Sequence, residues 1–297
     1  MISVLILTRN EERDLDACLE SVSWSDDVFV FDSFSTDATA EIARRRHAHL
    51  VQRRFDGYAS QRNAALTELP FRHGWIFILD ADERPTPELS REMRQRAANA
   101  SPDTAGFRLR RRDFLYGTWL RHAQISPYYI RLVRLGRARY VREVNEVLEV
   151  DGQIEQLQAP LDHFPFSKGI AHWLDKHNVY STMEARIVAG GLSKQDASLA
   201  TAIFGRDFHA RRRAQKAIFY RLPARPLLKW AMMMFGRGAI LDGRAGVVYS
   251  TLQSIYEYFI VLKTRELERG PNRALDGAPE RGPEHVRERG PERGQDS

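Results

Sequence analysis

The residue pair best suited to chemistry is Asp80 and Asp82, which end the stretch Trp75-Ile76-Phe77-Ile78-Leu79-Asp80-Ala81-Asp82-Glu83. Two carboxylates one residue apart can hold a hard divalent cation, and such a cation neutralises phosphate oxygens. The apolar run before them reads as a buried strand. It would deliver the pair to its carboxyl end, where open α/β sheets bind ligands. Alone, the pair could equally be a solvated turn at a strand end. Two more polar clusters follow apolar runs in the same way. Thr8-Arg9-Asn10-Glu11 follows residues 2–7, and Asp32-Ser33-Phe34-Ser35-Thr36-Asp37 follows residues 27–31. On a parallel sheet all three clusters share one edge, and that convergence says more than any one of them.

The elements needed to position these clusters are legible. Strands are expected over 2–7, 27–31, 49–51 and 75–79. Helices are expected over 12–22, where Leu15, Cys18, Leu19 and Val22 fall at helical spacing, and over 38–46. Thr36 or Asp37 can cap the latter. Two more helices are expected, over 59–69, stopped by Pro70, and over 87–98, with Pro87 at its start. Strands alternating with helices predict a mainly parallel sheet with right-handed crossovers. From Ala105 the period changes. Residues 106–110, 128–133 and 139–150 alternate or extend as strands that could add antiparallel partners.

The chain has 297 residues, 43% of them hydrophobic and 28% charged, with a net charge of +6. That is ample for a folded core. The modest positive charge suits nucleic acid, anionic lipid or a phosphorylated substrate without choosing among them. A lone cysteine, Cys18, excludes a disulfide framework and a cysteine-rich zinc site. The start, Met1-Ile2-Ser3-Val4, reads as a strand and not as a signal peptide. No window is apolar enough for a spanning helix. There is no Gly-x-Gly-x-x-Gly after the first strand and no Walker-type loop, which disfavours dinucleotide enzymes and P-loop phosphotransferases. Phosphates would then need a metal, held by Asp82.

Four segments in order resemble the opening of glycosyltransferase family 2. They are Val4-Leu5-Ile6-Leu7-Thr8-Arg9-Asn10-Glu11-Glu12, Phe31-Asp32-Ser33-x-Ser35-x-Asp37-x-Thr39, Gln61-Arg62-Asn63-x-Ala65 and Leu79-Asp80-Ala81-Asp82-Glu83. The resemblance extends to about Leu262 and is nearest to the subgroup of lipopolysaccharide-core glucosyltransferases. It implies the α/β nucleotide-diphospho-sugar fold called GT-A, with a mainly parallel central sheet. It implies an inverting transfer from a UDP-sugar, aided by a divalent metal (Mn²⁺ or Mg²⁺). By the same resemblance Thr8, Arg9 and Glu11 would line the nucleotide pocket, and Asp32 would bind the base. Asp37 suits either that loop or a helix cap. Gln61 and Asn63 would lie near the nucleotide. Asp80 and Ala81 would contact the nucleotide-sugar, with Asp80 facing the ribose or the metal, and Asp82 would ligate the metal. A His-Glu pair of the subgroup reads Asn145-Glu146 here, which makes Glu146 the candidate general base or an exposed strand glutamate. Arg131 and Arg134 would contact diphosphate or acceptor phosphate, or form a solvated face. His163 would stand near the diphosphate or metal, or simply pack.

The aromatic and basic stretch 114–122, with Trp119, fits an acceptor rim or a packed hairpin. On the helix expected over 168–188, His172 and Lys176 could form a basic stripe over the site. Residues 206–228 crowd basic side chains among aromatic ones, and 227–235 and 247–262 are dense apolar stretches. Lys229, Arg237 and Glu257 argue against spanning helices. A C-terminal helical appendage in peripheral contact with an anionic membrane is expected, or helices that pack on the core or make a homodimer interface. The segment 238–243 should be a structural turn. The expected organisation is a catalytic domain over 1–190, nucleotide-sugar binding over 1–100 and acceptor-facing over 101–190. A helical region over 191–265 and a disordered tail over 266–297 complete it. The expected partners are a UDP-sugar and a glycan or glycolipid acceptor on a bacterial surface glycan, with no nucleic acid. The expected place is the cytoplasmic face of the inner membrane. Two other classes stay open: a nucleotidyltransferase acting on sugar phosphates, and a non-enzymatic basic module that binds membrane or nucleic acid.

Overall fold

A computed structural model of the chain describes residues 1–141, 147–190, 198, 200, 202, 208–222 and 224–268. The expected elements are present in order. β1 (Ser3–Thr8), β2 (Val28–Asp32), β3 (His49–Gln52) and β4 (Trp75–Asp80) are joined by α1 (Leu15–Ser21), α2 (Thr39–Arg45) and α3 (Tyr58–Glu68). They form the parallel half of the sheet, in spatial order β3-β2-β1-β4. β1 lies at its centre, so Val4, Leu5 and Ile6 are buried on both faces. Alternation divides the core. Val4, Ile6, Phe77 and Leu79 face one cluster, with Leu15, Cys18 and Leu19 of α1. Leu5, Phe31, Ile76 and Ile78 face the other, with Ala64 and Ala65 of α3.

The change of period after Ala105 has the expected meaning. After β5 (Glu83–Pro85) and α4 (Pro87–Ala98), β6 (Thr104–Leu115) and β8 (Tyr128–Arg134) extend the sheet. β8 runs antiparallel to both β4 and β6. α4 starts as read, with Pro87 in its first turn and the Thr86 hydroxyl accepting from the Leu89 N–H at 3.1 Å. β7 (Thr118–Trp119) folds back on β6 through Tyr116-Gly117. β9 (Ala138–Val141) pairs with β10 (Val147–Val150). β11 (Gln153–Gln156) joins β6, and β12 (Leu161–His163) inserts between β6 and β5.

Helices follow: α5 (Gly169–Ala189), α6 (Phe208–Arg221), α7 (Arg225–Ala231) and α8 (Gly243–Glu268). A π turn, Met232–Gly236, and a 3₁₀ turn, Ala239–Asp242, lie between the last two. The chain divides into two compact units. One is Met1–Asn178 with Pro226–Tyr256, and the other is Val179–Arg225 with Glu257–Ser297. The helical region expected as one piece over 191–265 is therefore shared between them. Within the first unit the turn 238–243 has the structural task expected of it. Gly238 and Gly243 take positive φ, at 76° and 60°. Asp242 accepts from the N–H groups of His122 and Ala123 at 2.9 and 2.7 Å, and contacts His122 Nδ1 at 2.6 Å. It thereby ties down the loop after β7. A Cβ at Gly246 would stand 1.9 Å from the Ala239 carbonyl oxygen, so only glycine allows α8 to pass there. In the second unit, buried Glu257 faces buried Arg225 at 3.6 Å. Among the described residues no helix is long and apolar enough to cross a membrane. The tail beyond 268 lies outside the described residues.

Candidate active site at the carboxyl edge of the sheet

The parallel register brings the polar clusters together, because Thr8 is paired with Asp32 and Leu7 with Asp80. Asp32 is fully buried and accepts from Thr8 Oγ1 and from the Ser35 hydroxyl on one oxygen. On the other it accepts from the Ser35 N–H and from Gln52 Nε2, both at 2.9 Å. A carboxylate has about four acceptor positions, and the protein fills all of them. Asp32 therefore builds the loop after β2, and a base could bond to it only by displacing Ser35 or Gln52. Asp37 caps that loop, accepting from the Glu12 and Thr39 N–H groups at 3.1 and 3.0 Å. Half-buried Arg9 follows Thr8 on the same edge.

Asp80 continues the alternation of Ile76 and Ile78, so it faces α3. There Arg62 Nη2 reaches one carboxylate oxygen at 3.1 Å, and Arg131 Nη2 reaches the other at 2.8 Å. Arg131 also bonds Glu83, which is 0% exposed and takes Arg111 at 3.2 Å as well. Burial pushes the Asp80 carboxyl up, but Arg131 and Arg62 outweigh it and hold it well below the usual range. Each Asp80 oxygen thus holds one guanidinium, which ties it into a chain of alternating charge with Arg131 and Glu83 and leaves it part-exposed at the sheet edge.

Asp82 is about as exposed as Asp80, 30% against 31%, but it differs in its partner: its Oδ2 stands 3.3 Å from His163 Nε2, and among the described residues no arginine is bonded to it. The other ring nitrogen, Nδ1, is bonded to buried Asp113. β12 places His163 beside Asp113 on β6 and beside Glu83 on β5, which explains the convergence. Burial lowers the His163 pKa, but Asp113 and Asp82 together raise it to about 9. Burial raises that of Asp82, and the His163 contact brings it below its ordinary value. The Asp113 contact fixes the ring while Nε2 faces Asp82 as one end of an ion pair, and a cation taken between Asp82 and Nε2 would displace the Nε2 proton. The pair fits a divalent cation as an open, two-ligand set. Among the described residues no group of three or more acidic, histidine or cysteine side chains could hold one, so ligand oxygens would have to complete the shell.

Positive charge surrounds this pair. Lys168, just before α5, bonds Glu11 at 2.5 Å. The fields of Lys168 and Lys176 both reach His172, and that of Lys176 reaches Asp82. Burial raises the Glu11 pKa to about 7 despite Lys168. The folded state thus binds this proton more tightly than the unfolded chain does. The resulting stability is complete below pH 4.5 and is lost as pH rises through about 7. Urea titrations across that window should show the loss in the wild type and a flatter profile in Glu11→Gln. Equal slopes would refute the assignment.

The remaining expected residues are spread more widely. Gln61 is buried and holds Ser33 and Arg53 at 3.2 and 2.8 Å. Asn63 clamps the backbone of Tyr140 in β9, donating at 2.8 Å and accepting at 2.7 Å, so it positions a strand. Arg134 is not brought to this edge. It pairs with Trp75, at the start of β4, and donates to the carbonyls of Thr104 and Ser101. Trp119, 39% exposed, lies in the hairpin beside Arg112 and Arg121. Ala81 packs into the core, and Glu146 lies outside the described residues. Sequence reasoning missed Arg62, Glu83, Asp113 and Lys168 as site residues. Arg62 and Glu83 sat inside quoted motifs. Asp113 and Lys168 carry no local signal.

A mainly parallel α/β sheet with acidic loops at its carboxyl edge is a fold of GT-A type. Residues 3–148 match the family model for glycosyl transferase family 2, and the chain belongs to that family. It is a glycosyltransferase. It is similar to the lipopolysaccharide core biosynthesis glycosyltransferase LpsC of Rhizobium meliloti, with 26% identity over 272 residues, covering 88% of this chain and 91% of that one. An uncharacterized glycosyltransferase of Rickettsia bellii is 36% identical over 103 residues, 34% of each chain. Among solved structures, it resembles the mannosyltransferase PcManGT from Pyrobaculum calidifontis in complex with GDP-Man and Mn²⁺. The identity is 17%, with 89% of this chain and 86% of that chain covered and a TM-score of 0.46. It also resembles S. aureus TarS in complex with UDP-GlcNAc, at 13% identity, 91% and 92% coverage and a TM-score of 0.42.

Proposed function

We propose that this glycosyltransferase moves a sugar from a UDP-sugar to a lipopolysaccharide-core acceptor by a single inverting displacement. The observation that carries the reading is the line Asp113–His163–Asp82 at the open edge of the sheet. Asp82 and His163 would hold a divalent cation, Mn²⁺ or Mg²⁺, which would offset the charge that builds on the leaving diphosphate. Lys168 and Lys176 add fixed positive charge to the same place. The buried network of Asp80, Arg131 and Glu83 fixes the start of the loop that carries Asp82. The core-oligosaccharide acceptor is supported by the likeness to LpsC along nearly the whole chain.

A base must take the acceptor hydroxyl proton, and Glu146 is the candidate. Glu146→Gln should keep donor binding and lower transfer by about 10²- to 10⁴-fold. An unchanged rate would remove Glu146 from the reaction. The reading as a whole is tested with nucleotide-sugars titrated by calorimetry in the presence and absence of Mn²⁺. UDP-sugars should bind only with metal, and failure of every donor to bind would overturn it.

The second unit supports a peripheral place at an anionic membrane. Val179, Met183 and Ile187 form an exposed apolar stripe on α5, and Tyr258 and Leu262 another on α8. The basic stretch 206–225 belongs to the same unit. Co-flotation with vesicles containing phosphatidylglycerol tests this, and protein that stays unbound at low salt would refute it.

A further inference from the structure

Two exposed turns of the first unit meet near the end of the sheet that carries Asp82. One is the Tyr116-Gly117 turn between β6 and β7, with Trp119 behind it. The other is the 3₁₀ turn Ala239–Asp242. Asp242 accepts from the N–H of His122, 120 residues away in sequence, and from that of Ala123. The Arg244 guanidinium lies 6.0 Å over the Tyr116 ring. A Cβ on Gly238 would stand 3.3 Å from Leu241 and 4.0 Å from His122, so these side chains are neighbours. β8 is antiparallel to both β4 and β6, so β6 runs parallel to β4 and the hairpin after it projects past the carboxyl edge. The Leu120 N–H donates to the Asp113 carbonyl at 2.9 Å, and Asp113 is the residue that anchors His163. The joined turns are thus a short step from the Asp82 and His163 pair.

The surface they present is apolar and basic. Leu241 is 72% exposed, Ile240 52% and Tyr116 62%. Aliphatic side chains left this open forgo the free energy of burial. Tyr116 adds strain, because it and Gly117 form a two-residue turn with φ of 51° and 74°. Such turns favour Asn or Asp before Gly. Neither packing nor turn chemistry within the chain explains these residues, and so they point to something outside it. Arg121 lies 5.6 Å over Trp119, as Arg244 lies over Tyr116, and both arginines are exposed. Among the described residues neither is paired with an acid. The acid at hand, Asp242, is buried and taken by His122 and Ala123. Aliphatic side chains flanked by aromatic rings and unpaired arginines match the layers of an anionic bilayer. These are the acyl chains, the interface where Trp and Tyr settle, and the phosphate headgroups.

We propose that the joined turns form an insertion tip that docks the first unit on an anionic lipid surface. Ile240 and Leu241 enter the acyl layer, and Arg121 and Arg244 bind headgroup phosphates. Docking there brings the carboxyl edge of the sheet to the bilayer, where an acceptor anchored in lipid presents its hydroxyl. The assignment rests on the peripheral membrane reading given above, but on none of the residues of the second unit.

Cys18 is buried, so a cysteine placed at an exposed position can be labelled alone with an environment-sensitive fluorophore. Leu241→Cys labelled in this way should shift its emission to the blue with vesicles containing phosphatidylglycerol, and far less with pure phosphatidylcholine. Asn99→Cys should not shift. It lies two residues before Ser101, whose carbonyl takes Arg134 at the opposite edge of the sheet. Flotation of the unlabelled proteins gives the affinities. Ile240→Ser combined with Leu241→Ser should weaken vesicle binding by at least about tenfold. Arg121→Gln and Arg244→Gln should each weaken it by about fivefold at low salt and have little effect at high salt. Titration with UDP and Mn²⁺ should be unchanged in every variant. If the wild type floats but the Leu241 label stays silent and the serine pair binds as the wild type does, the tip is overturned and the membrane reading of the second unit stands. If the wild type does not float, both fall. A dimer in sedimentation velocity that the serine pair dissolves would give the turns to a second copy of the chain and overturn the lipid assignment.

Discussion

Asp82→Ala should abolish metal-dependent UDP-sugar binding and lower turnover by about three orders of magnitude. A Lewis-acidic cation on a leaving diphosphate contributes several kcal/mol to the transition state, and about 4 kcal/mol is a thousandfold in rate. The expected loss is larger than for any other single acid at this edge. Asp82 alone combines partial exposure with a histidine 3.3 Å away that is anchored from behind. Calorimetry with UDP and Mn²⁺, compared with the same titration in EDTA, separates metal-linked binding from the rest. Metal-dependent affinity that survives the substitution would remove Asp82 as the ligand. Asp80 offers a useful contrast. Both its oxygens are held by arginines, so Asp80→Ala should be read first as a stability change.

Arg131→Met should lower stability by about 3 kcal/mol, in the range found when one partner of a buried ion pair is removed. Glu83 is 0% exposed and would keep Arg111 and the Asp80 N–H, while the Asp80 carboxylate would keep Arg62 as its one guanidinium partner. Replacing the whole network by apolar residues could cost far less, because it is the orphaned charge that is expensive. Arg134→Met is the matched control on the same strand. Its guanidinium bonds two backbone carbonyls and lies 4.6 Å over Trp75, so about 1 kcal/mol is expected. Urea midpoints for the two variants decide it. Equal losses would mean that the buried network has no special weight.

The two arginines also show where reading the chain stops. Arg131 and Arg134 share one short pattern, and their odd spacing says only that they lie on opposite faces of the strand. The antiparallel pairing of β8 with β4 puts Arg134 opposite Trp75, while Arg131 reaches the carboxyl end. Which end of the strand meets the acidic edge is a tertiary fact, set by the antiparallel pairing. Asn63 illustrates the same limit, since its partner is a backbone 77 residues away in sequence.

The sequence by itself determined the sheet and its edge. Apolar runs of strand length, helical spacing between them and polar residues after each run are local patterns, and local patterns suffice to place Thr8, Asp32, Asp80 and Asp82 on one side. Tertiary structure decided what each of these acids does. Register filled the oxygens of Asp32 from Ser35 and Gln52, and α3 and β8 neutralised Asp80. β12, inserted between β5 and β6, carried His163 to Asp82 and gave it Asp113 as support. A carboxylate's chemistry depends on which charges and donors stand within a few ångströms of it. Those neighbours come from distant parts of the chain, so only the folded arrangement sets which acid faces an arginine and which a histidine.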